Sequence, residues 1–244
     1  PVQVTRINPR NEKFVCEAQE AIFESDAVID LSNRTITIDA DTYDFNLRTI
    51  HDTLFPVITD PTGITLKVYI NTGITIGGLL QSSRPFDVGS WPVGLSITIY
   101  VNGKIGGHGG KGGSQSGGVA EAGGVAFYTR YPCTLVVNGQ LWAGGGGGSN
   151  QSTAAGGGGA GRLPGNPGVL NAGSAPTAGT ETTGGIGSFV SGLFYGGAGG
   201  GPGQPGTDGT GFGSTAHGAA GPAIDGYSYV SLTNLGDIRG LLVN

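Results

Sequence analysis

The sequence predicts a mostly β and irregular fold: a β-rich base with one short helix, followed by a sandwich of polyglycine II helices. Three observations carry this. Residues 103–226 hold 43 of the 51 glycines, about one residue in three. Those glycines are phased: Gly103, Gly106, Gly109 and Gly112 recur every third residue, as do Gly107, Gly110 and Gly113, and again Gly197, Gly200, Gly203, Gly206 and Gly209. The window is also poor in charge and studded with bulky residues such as Phe127, Tyr131, Trp142 and Phe194, unlike a solvated linker. Three residues per turn is the polyproline II period. Such a helix has no internal hydrogen bonds, so buried amides and carbonyls must find partners on neighbouring chains. Where every third side chain is absent, neighbouring backbones can come close enough to bond. The strict Gly-X-Y period and high proline of collagen are missing, so the chain must fold back on itself in short passes.

In chain order, Val2 to Phe23 reads as two strands around the turn Asn8-Pro9-Arg10-Asn11. A two-stranded hairpin is marginal alone, so this piece is expected to complete a larger sheet. Residues 27–38 form a second β region, with Ser32-Asn33 as its turn. The single helix starts at Asp44 or Asn46 as N-cap, places Phe45, Leu47, Ile50 and Leu54 on one face, and ends before Pro56. An internal repeat follows, at Leu66–Gly78, Ser96–Gly107, Thr134–Gly145 and Tyr229–Gly240. Each copy is an alternating strand, a turn rich in Asn and Gly, and a short second strand. Asn-Gly suits a hairpin, but the same unit suits a rung of a small solenoid, and the sequence leaves both open. The expected division is 1–28, the end of a larger sheet domain; 29–102, a β-rich connecting region with the helix; and 103–244, the glycine sandwich.

Between the glycine runs lie Ser114–Ser116, Ser149–Ala155, Arg162–Thr183, Ser188–Tyr195 and Thr210–His217. These are expected as end loops, where binding residues concentrate on a rigid scaffold. The insert Arg162–Thr183 reads either as a loop of its own or as a further pass with poor glycine phasing.

Composition excludes several function classes. A formal charge of −5 argues against nucleic acid bound by charge. No apolar run reaches 18 residues. Cys16 and Cys133 fit no metal or redox spacing and read as buried thiols, and His51, His108 and His217 have no metal spacing. No carboxylate pair, hydrolase elbow or phosphate loop followed by a helix is present, so neither an enzyme nor a cofactor is expected. No methionine occurs, even at position 1, which reads as a piece of a longer protein. Trp142 lies in a repeat strand and reads as packing. Phe189, Phe194, Tyr195 and Phe212 sit in glycine-flanked loops among small polar residues, and either loop packing or contact with a partner accounts for them.

The stretch Pro85–Gly113, with the order of β region, Phe45-Asn46-Leu47 helix, strand–Asn–Gly repeats and alternating glycine runs and loops, resembles the C-terminal part of siphophage tail-tip host-specificity proteins. The glycine part is similar to the distal adhesins of T-even-type long tail fibres. The resemblance implies a virion adhesin at the distal tail tip, homotrimeric in the particle and joined to the rest of the tail tip. Its partner would be a Gram-negative outer-membrane protein, a porin or transporter, or lipopolysaccharide. Receptor contact is then expected at Ser149, Asn150, Gln151, Ser152, Thr153, Phe189, Phe194, Tyr195, Phe212 and His217. Two other readings stand beside it: a structural spacer or plug without receptor contact, and an ice-binding polyglycine II protein.

Overall fold

The sequence repeats stack in parallel rather than folding back as hairpins. The computed structural model describes residues 32–115, 117–171, 173–191, 194–211 and 213–244. The hairpin expected over Val2–Phe23, and Cys16, Ser116 and Phe212, lie outside the described residues. The first coil comprises Asn33–Ile38 (β1), Thr42–Tyr43 (β2) and Phe45–Asn46 (β3). The helix Leu47–Leu54 (α1) follows it. The second coil is Thr65–Ile70 (β4), Thr75–Gly77 (β5) and Phe86–Asp87 (β6). The third is Ser96–Val101 (β7), Lys104–Gly106 (β8) and Phe127–Tyr128 (β9). The fourth begins with Cys133–Val137 (β10) and Gln140–Trp142 (β11). A long excursion carrying Phe189–Ser191 (β12) and Phe194–Tyr195 (β13) precedes its third side, Pro222–Asp225 (β14). The fifth coil is Val230–Asn234 (β15), Asp237–Arg239 (β16) and Leu241–Val243 (β17). Pairing runs in one order on all three sides: β1-β4-β7-β10-β15, β2-β5-β8-β11-β16 and β3-β6-β9-β14-β17. The base is therefore a three-sided parallel solenoid of five coils.

Period-two alternation explains the core. Ile36, Val68, Ile99 and Leu135 pair in register across coils and point inward, as do Ile38, Ile70, Val101 and Val137. On the third side Phe45, Phe86 and Phe127 stack with ring centroids 5.2 and 5.3 Å apart. The Asn-Gly pairs are corners. A Cβ on Gly103, Gly139 or Gly236 would overlap a carbonyl of the preceding coil, so the tight stacking of corners, rather than a hairpin turn, calls for glycine. Asn138 Nδ2 donates to Asn102 Oδ1 across adjacent corners (2.8 Å). Asn33 opens β1 and is not the expected turn, because its amide-to-carbonyl ladder runs on the second coil from Asn33 against Thr65.

Helix α1 is capped by Asn46, whose Oδ1 accepts from Thr49 N at 3.0 Å. Its buried face is Leu47 and His51 rather than the expected stripe through Leu54, which is exposed. Phe55, past the helix end, packs on the core in its stead. His51 accepts from Arg34 Nη1 at Nε2 (2.7 Å) and donates from Nδ1 to Asp52 (2.8 Å). Burial pushes the His51 imidazole below its ordinary pKa, with Asp52 opposing and Arg34 adding to the shift, so the neutral ring is the native form. Cys133 is a buried thiol, as read from the sequence, and burial pushes it up to about 12.

The glycine excursions leave the solenoid from one corner, after β8 and after β11. Gly103 and Gly106 belong to the solenoid, so the glycine sheaf begins at Gly107. Residues 222–243, expected within the glycine-rich unit, return as solenoid strands. The sheaf is thus inserted between rungs. Arg162 fixes it to the base: Nη2 reaches Asp41 (2.8 Å), and its stem fills the space left by Gly77 and Gly106 on the outer face. Lys104 holds Glu181 at 2.7 Å, and Lys104 and Arg239 both lie over the Trp142 ring.

Backbone bonds of three-residue register tie ten passes together: 107–115, 118–126, 143–150, 155–162, 163–169, 174–180, 183–190, 195–203, 204–210 and 214–221. Gly109, Gly112 and Gln115 donate to Leu163, Asn166 and Val169, while Gly107, Gly110 and Gly113 donate to Trp142, Gly145 and Gly148. Pass 143–150 bonds to six neighbours. It donates from Gly144 to Gly124, from Gly145 to Ala160 and from Gly146 to Gln204, and it accepts from Gly110, Gly200 and Gly218. Pass 155–162 is likewise ringed by six. The result is three layers. One outer layer is 118–126, 107–115 and 163–169; the middle is 214–221, 143–150, 155–162 and 174–180; the other outer layer is 204–210, 195–203 and 183–190. The insert Arg162–Thr183 supplies two passes rather than one large loop.

Candidate functional site

Because the passes alternate in direction, alternate connections fall at the same end. The connections near Arg162, Glu181 and Gly203 lie against the solenoid, at Asp41, Lys104 and Arg239 respectively. The others gather at the far end of passes of about eight residues, about 25 Å away at the polyproline II rise. Cross-bonds show the gathering. Asn171 N donates to Gln115 Oε1 (2.9 Å), Val169 N to Ser114 Oγ (3.0 Å) and Gly209 N to Ser149 Oγ (2.6 Å). Tyr195 and Thr210 exchange both backbone bonds (3.2 and 2.9 Å). Gly117, Gly173, Gly211 and Gly213 turn the chain here with φ of +96°, +114°, +120° and +74°, which side chains rarely adopt.

The expected contact residues separate by burial. Ser149, Asn150 and Gln151 are fully buried, so their side chains are structural. This corrects the expectation that they face a receptor. The end of a hexagonal sheaf leaves its last amides and carbonyls without a next turn, and small polar side chains satisfy them. Ser152 is exposed and Thr153 half-buried, with Thr153 bonded to Gln151 Oε1 (3.0 Å). Phe189 and Tyr195, paired across the antiparallel hairpin β12–β13, are 44% and 45% exposed with centroids 4.9 Å apart. Phe194 is half-buried and covers Gly211, where an added Cβ would sit 2.6 Å from its ring. It serves packing. His217 lies beside the tip with Nδ1 2.9 Å from Asp208 Oδ1, and this bond holds the Asp208 carboxyl below the usual carboxylate range.

The structure brings further residues to this end that sequence reading missed. Ser114 and Ser174 anchor loop backbones, the latter through Phe189. Val169 and Ile186 are 62% and 71% exposed on passes that end there. Their signal was present: apolar residues stand in runs where a sheaf interior tolerates only glycine. The tip is nearly neutral. Asp208 and His217 pair beside it, and no Lys or Arg occurs from 163 to 238.

The model of the family "Phage tail fibre adhesin Gp38" matches residues 33–243. Among solved structures, the gp37-gp38 adhesin tip complex of the bacteriophage S16 long tail fibre shares the fold, with a TM-score of 0.62 and 21% identity over 86% of this chain and 82% of that one. No curated protein matches the sequence.

Proposed function

The chain belongs to the Gp38 family of phage tail fibre adhesins, and on that premise we propose that it fastens the tail tip to a Gram-negative outer-membrane receptor through the loops at the far end of the sheaf. A phage tail fibre adhesin is a virion component of the tail, not an enzyme. The observation that carries the proposal is the convergence of the connections that follow passes 107–115, 143–150, 163–169, 183–190 and 204–210 on the end opposite the solenoid, with Phe189 and Tyr195 presented there. Exposed aromatics among Ser, Thr and Asn bind by stacking and hydrogen bonds with little entropy to lose. The lack of Lys and Arg favours the loops of an outer-membrane porin or transporter over phosphorylated lipopolysaccharide, which calls for cations. The solenoid would join the rest of the tail tip, in a homotrimeric particle. Support comes from the fifth coil, whose strand edges are unpaired among the described residues and which exposes Leu235, Leu241 and Leu242, and from the assembly of the S16 relative with gp37.

The test is Phe189→Ser with Tyr195→Ser in the phage. Both side chains are half exposed, so melting of the purified chain is expected to change by less than about 1 kcal/mol equivalent. Adsorption to the host strain is expected to fall at least about tenfold, as for loss of a small hot spot. Unchanged adsorption by the folded double variant would favour a spacer without receptor contact.

A further inference from the structure

One side chain at the tip bonds to two loops beyond its own. Asn150 is fully buried at the end of the central pass. Its Nδ2 donates to the Ser114 carbonyl (2.6 Å), at the root of the loop that turns at Gly117. Its Oδ1 accepts from Thr215 N (3.3 Å) and from Thr215 Oγ1, at the root of the loop that turns at Gly211 and Gly213. Its own backbone opens the third loop, closed by the reciprocal bonds between Gln151 and Ala154 (2.9 and 3.0 Å). Ser149, beside it, accepts from Gly209 N and reinforces the root of the loop that turns at Gly211 and Gly213.

We propose that Asn150 is a positioning residue for adhesion: it touches no receptor and sets the mutual placement of three distal loops, at 114–118, 150–154 and 209–215. This rests on the adhesive role given to the tip above. The chemistry requires an amide. One end must donate to a carbonyl and the other must accept from a hydroxyl and an amide, and among side chains of this size only asparagine does both at neutral pH. An ionised carboxylate in its place sets two acceptors against each other in a buried site. A protonated one restores a donor and an acceptor, and burial raises the pH at which it protonates.

The experiment uses Asn150→Asp and Asn150→Ala in phage particles, with hydrogen exchange on the purified full-length chains. For Asn150→Asp at neutral pH, adsorption to the host strain falls at least about tenfold. Amides in the three loops exchange faster together, while the base-side turns near Glu181 and Gly203 exchange as in the parent. As pH is lowered, Asn150→Asp regains both slow exchange and adsorption. Asn150→Ala regains neither, and the parent shows no such profile. Loop exchange unchanged in Asn150→Asp, or a loss that acidification does not reverse, overturns the proposal. If the loops loosen together yet adsorption holds, the network stands and the adhesive role of these loops is what fails. Should Asn150→Asp not fold, Thr215→Val, which removes the hydroxyl alone, must loosen the same three loops, and its failure to do so overturns the proposal as well.

Discussion

Gly147→Ala is expected to lower the melting temperature by about 5–20 °C, whereas Gly201→Ala is expected to leave it nearly unchanged. Gly147 lies in the pass ringed by six neighbours. A Cβ there would overlap the Lys111 carbonyl, backed by the rest of that peptide group. The neighbouring backbone cannot yield without breaking its own bonds. Forcing it aside also loosens the bonds from Gly147 N to Glu121 O and from Gly218 N to Gly147 O (2.9 and 2.8 Å). Each buried polar group left unpaired costs about 1–3 kcal/mol. At about 2–4 °C per kcal/mol for a chain of this length, two such groups give the stated range. At Gly201 the nearest atom to an added Cβ is Thr182 O at 3.9 Å, and φ is not left-handed. The contrast therefore isolates packing space from any general effect of replacing glycine, and differential melting of the two variants reads it directly. Equal melting points would remove the close-packed sheaf from the account.

Phe86→Ala is expected to cost about 3–5 kcal/mol, as for other fully buried aromatics cut to alanine. Phe86 has no exposed surface and stands between Phe45 and Phe127 on the third side of the solenoid. That side is made of two-residue strands in its first three coils, so side-chain stacking rather than a long ladder holds the coils in register. The loss should appear as a lower midpoint in denaturant with little change in slope. A cost below about 1 kcal/mol would mean that the stack is not what closes the solenoid.

These two sites also show what the sequence could and could not reveal. The sheaf was legible because its physics is written residue by residue: a neighbour within bonding distance forbids a Cβ, so the glycine period reports the packing face. The first two sides of the solenoid were legible as repeats, since their strands alternate. The third side was not, because Phe45-Asn46, Phe86-Asp87 and Phe127-Tyr128 are too short to show a period. Without it, hairpin and rung could not be separated, and the return of residues 222–243 to the base stayed hidden. At the tip, the loops were located by composition, and Phe189 and Tyr195 were marked as their aromatics. Burial was the missing quantity. Asn150 and Ser152 look alike in a polar loop, yet one ends the central pass and the other faces water. Arg162 was likewise seen only as an edge of an insert, although Gly77 and Gly106, more than fifty residues upstream, hollow out its seat.

The most direct test of the central claim is a hydrogen-exchange footprint of the full chain bound to outer-membrane vesicles from the host strain. The account predicts added protection confined to the far end of the sheaf, strongest around Phe189 and Tyr195, with the solenoid coils unchanged. Protection centred on the solenoid, or along the sides of the sheaf with the distal loops unaffected, would contradict it.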